Sequence, residues 1–176
     1  MKVVRYLLYA LLALIGVVAL AYGAGYFLPA KHTASRSIEF KAAPETAFNT
    51  VADIKNALSW RTSLQDIKML PASDGMESWT EVQKGGDQIS FRMKAKTPPS
   101  RIEIEVINDS NFGGVWVGTF EPTASGGTRV TFTENGEIYN PLFRTMAKLF
   151  FDKGATLEQY LGELSRKLGE NPPITK

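Results

Sequence analysis

The sequence contains no cysteine and a single histidine among its 176 residues. Without cysteine the chain forms no disulfide and offers no thiolate ligand to a metal. The one histidine, His32, lies directly after the apolar N-terminal run, and we expect it outside the folded domain. A histidine metal site and a Ser-His-Asp triad are therefore excluded from that domain. The lack of cysteine does not by itself determine the cellular compartment.

The sequence also has little excess charge beyond its N-terminus. Lys2 and Arg5 account for the formal net charge of +2, because the chain from Lys31 onward holds 18 basic and 18 acidic residues. A neutral domain without a basic cluster is a poor nucleic-acid binder, so we expect no nucleic-acid partner. With 44% hydrophobic and 22% charged residues, the chain is too apolar to be disordered.

Charge is missing altogether from residues 6–28, a run of 23 residues. At about 1.5 Å per residue, a helix of this length crosses the roughly 30 Å hydrocarbon core of a bilayer. We predict that residues 1–29 form a transmembrane anchor and that the protein is a single-pass protein of the cell membrane. A cleaved signal peptide is the alternative, since Ala19-Leu20-Ala21 fits a small-x-small cleavage site. The short N-terminal tail favours a domain outside the cytoplasm.

The remaining residues divide into three predicted parts. Residues 30–35 are predicted to be a linker, residues 36–169 a single domain, and residues 170–176 a C-terminal tail. Within the domain, five or six strands follow one another, separated by turns such as Ser73-Asp74-Gly75. Apolar and polar residues alternate in these strands, most clearly in residues 88–97, which is typical of an antiparallel sheet with one covered face.

The sequence predicts helices both before and after these strands. Pro44 starts a short helix after the first strand, and Asp53 caps a second one. After the last strand, apolar residues recur at helical spacing from Leu142 to Leu168. They predict one C-terminal helix of about 28 residues, long enough to lie across the whole sheet. The predicted fold class is therefore α+β.

Three segments carry the landmarks of a known superfamily: residues 38–48 with their Ala-Pro-Glu helix start, Trp60-Arg61, and residues 126–134. With the order of elements, they resemble the helix-grip fold of the SRPBCC superfamily, over about residues 35–168. This superfamily includes START domains, Bet v 1-like plant proteins and polyketide cyclase-like proteins. The resemblance implies an antiparallel sheet wrapped around a long C-terminal helix, with a cavity between them. Because the superfamily spans lipid carriers, receptors and cyclases, the resemblance leaves the function open.

The implied cavity would be lined by the inward residues of the strands and of the helix. Glu134 is in phase with Val130 and Phe132, so we expect its carboxylate to point inward and to require a partner. Aromatic and methionine side chains form adaptable binding surfaces, although the same apolar stripe also fits a solid core. The predicted ligand-binding wall consists of Phe91, Met93, Ile104, Trp116, Phe120, Phe132, Glu134, Met146 and Phe150.

These features are compatible with three functions. The first is a membrane-anchored domain that binds or carries an apolar small molecule, such as a lipid, isoprenoid or quinone. The second is a protein-interaction or assembly module that keeps the fold without a ligand. The third is a cyclase- or hydrolase-type enzyme, for which Glu134 is the inward acid–base candidate and a second polar group beside it would be needed. We identify no catalytic residue, and we expect no cofactor and no metal. The sequence names no protein partner.

Overall fold

The computed structural model describes residues 2–73 and 75–176. Met1 of the predicted anchor and Asp74 of the predicted turn lie outside the described residues. The elements are α1 (Lys2–Tyr26), β1 (Lys31–Phe40), α2 (Pro44–Ala52), a 3-10 helix (Ile54–Ser59), β2 (Leu64–Ser73), β3 (Met76–Gln83), β4 (Gln88–Thr97), β5 (Arg101–Ile107), β6 (Phe112–Pro122), β7 (Thr128–Ile138), α3 (Pro141–Phe150) and α4 (Ala155–Lys167).

The first helix, α1, is apolar along almost its whole length. Its mean hydropathy reaches 2.3, and no residue of its most apolar stretch is buried against the rest of the protein. By length and composition this helix is able to cross a membrane, and a signal sequence near an N-terminus has the same properties. It is the one helix of this kind in the part of the chain that the structure describes.

The seven strands form a single antiparallel sheet in the order β1-β7-β6-β5-β4-β3-β2. The prediction of a linker at residues 30–35 is wrong from Lys31 onward, because Lys31 already pairs with Glu137 of β7. This pairing satisfies backbone groups of both strands along their full length. β7 correspondingly continues to Ile138.

The apolar core lies between the concave face of the sheet and the helices α2 and α4. Phe132 makes edge-to-face contacts with Phe120 and with Tyr160 of α4, and Phe120 makes another with Phe48 of α2. Leu157 of α4 is fully buried. Edge-to-face pairs of this kind add to the stability that burial provides. The predicted α+β helix-grip fold is confirmed, with α4 as the helix that the sheet surrounds.

The prediction of one long C-terminal helix is wrong, because a non-helical segment separates α3 from α4. Phe151 has an extended backbone, with φ −114° and ψ 132°. The Asp152 carboxylate accepts a hydrogen bond from the Gly154 N–H at 2.9 Å. A Cβ at position 154 would overlap the guanidinium of Arg36, so glycine permits the close approach of β1 to the start of α4. As a result α3 leaves the sheet and packs against α1.

Candidate functional site on the concave face of the sheet

The concave face has a buried half and a partly exposed half. In the buried half, Ile102, Phe120 and Phe132 are at most 2% exposed. In the partly exposed half, Trp116 of β6 pairs with Ile104 of β5 on one side and with Glu134 of β7 on the other. All three residues are only partly buried. Residues two apart in a strand share a face, so both groups face α4. The partly exposed half lies where β1 begins and β7 ends.

Aromatic rings fill the space between α4 and the buried half. The Tyr160 ring lies 4.9 Å from Phe132, 5.4 Å from Trp60 and 5.8 Å from Trp116, measured between centroids. The cavity that the resemblance implies is therefore occupied by side chains at this position. Two pockets of the described residues lie elsewhere, one of about 870 Å³ beside Glu170 and one of about 630 Å³ that includes Leu70.

The predicted wall residues on the sheet fall into two groups. Met93, Phe120 and Phe132 belong to the core and have no surface on which a ligand could bind in this conformation. The others are partly exposed and lie close together on neighbouring strands, where Phe91 also stacks on Trp79. We call this second group the open half of the concave face; it consists of Phe91, Ile104, Trp116 and Glu134.

The two predicted wall residues on the C-terminal helix are not at the sheet. Met146 and Phe150 belong to α3, where they are 39% and 75% exposed. Their placement between helix and sheet is wrong because the break before Gly154 separates α3 from the helix that the sheet surrounds. Leu157, Leu161 and Leu164, on α4, are the residues of this spacing that are fully buried in the core.

Glu134 lies at the edge of the open half and points inward. Its Oε1 is 3.5 Å from Nε2 of His32, and Trp116 is its neighbour on β6. Burial raises the pKa of Glu134 above its ordinary value, while His32 and Trp116 act in the opposite direction. A Cβ at Gly136 would overlap the imidazole, so glycine makes room for this pair. The expectation that His32 lies outside the domain is wrong, because β1 carries it into the sheet.

A second polar cluster is buried where α4 meets β3. Arg61 donates to both oxygens of Glu81, at 3.3 and 3.2 Å, and to Glu163 at 3.1 Å. Glu163 is 1% exposed and also accepts hydrogen bonds from Thr62 and from the backbone and hydroxyl of Ser63. These bonds join α4 to β3 and to the segment after the 3-10 helix, so the cluster holds α4 in place.

The charges in this cluster are balanced. Burial lowers the pKa of Arg61, but the carboxylates of Glu81 and Glu163 raise it by more, so that the net shift is upward. Burial is also the largest cause of the raised pKa of Tyr160, whose ring centroid is 4.6 Å from the guanidinium carbon of Arg61. Arg61 therefore stays charged and Tyr160 stays neutral.

The acidic members of this cluster were not predicted, although the sequence contains a signal for each. Glu81 is two residues from the buried Trp79 and shares its face of β3. Glu163 follows Tyr160 by three residues and therefore lies on the buried side of α4. An acidic residue in phase with an apolar face is the pattern that would have identified both.

Comparisons with known proteins agree with this architecture. A sequence model of the family described as "Polyketide cyclase / dehydrase and lipid transport" matches residues 31–168. Norcoclaurine synthase from Thalictrum flavum is similar in structure, with a TM-score of 0.65, 9% identity, and coverage of 80% of this chain and 95% of that chain. A START superfamily protein from Mycobacterium smegmatis has a TM-score of 0.62 and 16% identity, with coverage of 78% and 97%.

A protein from Thermus thermophilus is similar to the same extent, with a TM-score of 0.62, 17% identity, and coverage of 78% of this chain and 96% of that chain. No curated protein gave a significant match. Identities this low indicate a shared fold and carry no information on activity. The match over residues 31–168, on a sheet that surrounds a C-terminal helix, shows that the chain belongs to the polyketide cyclase / dehydrase and lipid transport family of the SRPBCC superfamily.

Proposed function

We propose that this chain is a single-pass membrane protein whose domain binds an apolar small molecule of the lipid, isoprenoid or quinone class on the open half of the concave face. One observation carries the proposal: Phe91, Ile104 and Trp116 stay partly exposed on the inner face of the sheet. A cluster of large apolar side chains on a concave surface is typical of a ligand site.

The membrane part of the proposal is supported by α1. Its 25 residues correspond to about 37 Å of helix, longer than the hydrocarbon core of a bilayer. Tyr22 and Tyr26 lie together near its C-terminal end, with ring centroids 5.4 Å apart. Aromatic residues are enriched at this position because their rings suit the membrane–water interface.

The position of the open half relative to α1 favours a ligand that comes from the bilayer. α1 ends at Tyr26 and β1 begins at Lys31. The open half lies at this end of the sheet, since Ala34 pairs with Glu134 and Glu134 pairs with Trp116. An apolar molecule that leaves the bilayer here would meet Trp116 before it crosses much water.

The pair of His32 and Glu134 gives the apolar surface a polar rim. A lipid-like ligand has a polar end that needs hydrogen-bond partners and an apolar chain that does not. The carboxylate and the imidazole would hold the polar end, and the chain would lie over Trp116 and Ile104. The expected ligand is therefore amphiphilic rather than a pure hydrocarbon.

Trp116 provides the test, because Trp60 and Trp79 are only 6% and 1% exposed. The full-length protein in detergent is titrated with a bromine-labelled fatty acid, and tryptophan fluorescence is recorded. We expect saturable quenching by the brominated chain, and we expect Trp116→Phe to remove it.

Two matched variants locate the site. Ile104→Lys places a charge on the open half and is expected to weaken binding at least tenfold. Val117→Lys places the same charge on the opposite face of β6 and should leave binding unchanged. Thermal melts of both variants verify that they are folded. Quenching that never saturates, or that Ile104→Lys leaves unaltered, would refute the proposed ligand site.

Two other functions have one observation each in their favour. The aromatic rings that fill the space beside Tyr160 favour a protein-interaction module, and in that case wild-type protein shows no saturable quenching. The 3.5 Å approach of His32 to Glu134 favours a cyclase- or hydrolase-type enzyme. Glu134→Gln would then abolish turnover of a bound substrate while the brominated probe still binds.

A further inference from the structure

α3 exposes a band of large apolar side chains. Met146, Leu149, Phe150 and the following Phe151 are 39%, 66%, 75% and 66% exposed. Leu149 and Phe150 follow Met146 by three and four residues, so all three share one face of the helix. A soluble domain seldom leaves adjacent side chains of this size in water, and such a patch marks a surface that something covers.

The charges on α3 itself have one sign. There is no acidic residue from Pro141 to Phe151. Lys148 on α3 and Lys153 beyond it are exposed, whereas Asp152 between the band and Lys153 pairs with Arg36 at 3.6 Å. Arg144 donates to two backbone carbonyls at the end of β7. A lysine stem can lie along apolar surface while its ammonium group reaches lipid headgroups. This combination is typical of a helix that contacts a lipid bilayer.

α3 is attached to the C-terminal end of α1 through small residues. Gly25 is buried, and a Cβ there would overlap the carbonyl of Pro141. One turn away, Thr145 Oγ1 donates to the carbonyl oxygen of Ala21 at 2.7 Å. Small residues four apart allow two helices to approach closely, as in membrane proteins. The pairing of position 25 with 141 and of 21 with 145 shows that α3 runs back along α1 in the antiparallel direction.

We propose that α3 enters the bilayer beside the C-terminal end of α1, with its apolar face against acyl chains and with Lys148 and Lys153 reaching anionic headgroups. This inference rests on the proposed membrane span of α1. A lipid surface is favoured as the occupant for two reasons: the apolar band continues the apolar surface of α1, and the neighbouring charges complement anionic lipids. Because α3 follows β7 directly, its insertion also seats the open half at the bilayer surface.

The absence of cysteine from the chain allows a clean test. Single-cysteine variants of the full chain, each carrying an environment-sensitive fluorophore, are reconstituted into vesicles of phosphatidylcholine and phosphatidylglycerol. Phe150→Cys reports on α3, and Leu12→Cys reports on the middle of α1. Ser125→Cys, in the exposed turn between β6 and β7, serves as the solvent control. Quenching is measured with a lipid-borne nitroxide and with aqueous iodide.

We expect the nitroxide to quench the label at position 150 about as strongly as the label at position 12, and iodide to quench it several-fold less than the label at 125. Met146→Cys should behave in the same way. If the label at 12 is lipid-quenched but the label at 150 is quenched by iodide or by neither reagent, the role of α3 is refuted while the span of α1 stands. If the label at 12 is quenched by iodide, the span itself fails. Unchanged quenching at 150 without phosphatidylglycerol would overturn the role given to the two lysines.

Discussion

Replacement of Arg61 by methionine would remove the cation that two buried carboxylates share. The side chains of Glu163 and Glu81 are 1% and 10% exposed, so neither can recover its hydration without moving. Methionine keeps most of the length of the arginine stem, and the variant therefore tests charge and hydrogen bonding more than volume. The remaining donors carry no charge: Trp79 donates to Glu81 at 3.3 Å, and Thr62 and Ser63 donate to Glu163.

The expected loss is large. Removal of one partner from a buried ion pair typically costs about 3–5 kcal/mol, because an uncompensated charge remains inside. Arg61 makes three hydrogen bonds to the two carboxylates, and Glu163 keeps three others from Thr62 and Ser63. We therefore expect a loss near the middle of the range, about 4 kcal/mol. This is a substantial part of the 5–15 kcal/mol or so that stabilises an ordinary domain.

Urea unfolding of the protein in detergent, followed by tryptophan fluorescence, measures this loss. Arg101→Met is the matched control, because Arg101 is 46% exposed and pairs with Glu103 at the surface. We expect it to cost less than about 1 kcal/mol. The triple variant that combines Arg61→Met with Glu81→Gln and Glu163→Gln should recover much of the stability, since it removes the two uncompensated buried charges. An Arg61→Met effect as small as that of the control would refute the reasoning.

Three further predictions concern other parts of the fold. The pKa of Glu134 is raised in the folded state above the ordinary 4.5. The wild type should therefore lose stability relative to Glu134→Gln as the pH rises from the ordinary pKa to the raised one. Urea unfolding of both proteins across about pH 4 to pH 7 tests this, and a difference in stability that stays constant with pH contradicts it. Phe150→Ala should change the free energy of unfolding by less than about 0.5 kcal/mol, and Leu157→Ala should lower it by about 2–5 kcal/mol; equal effects in urea unfolding would place α3 in the core. Gly25→Leu should separate α3 from α1, because its side chain would overlap Pro141, and limited proteolysis after α3 should increase; unchanged cleavage would argue against the packing.

The strands of the sheet could be predicted where polar and apolar residues alternate within one segment. β4 begins and ends at the predicted residues, Gln88–Thr97, because its alternation is clear and Pro98-Pro99 follows it. Residues 31–35 carry little apolar signal, and their strand forms through pairing with β7 at the other end of the domain. That partner is distant in sequence, so no local pattern reveals it.

The site could be predicted in part for the same reason. The phase of Val130 and Phe132 extends to Glu134, which turns inward as the alternation requires. His32 could not be identified as its partner, since the two residues meet only when β1 is added to the sheet. The predicted position of Phe150 in the ligand-binding wall was wrong, because helical spacing shows that a helix has an apolar face but does not show what covers that face. α3 and α4 present such faces to different surroundings.

The short connection between α1 and β1 limits how far the domain can travel. Residues 27–30 separate the two elements, and the Ile138 N–H donates to the carbonyl oxygen of Ala30 at 2.8 Å. Four residues extend to at most about 14 Å. With α1 in one bilayer, a domain on so short a connection cannot carry a ligand to an opposite membrane, a task for which a long flexible linker is needed. Whatever supplies the proposed ligand, or receives it, must therefore come to this domain along the same bilayer.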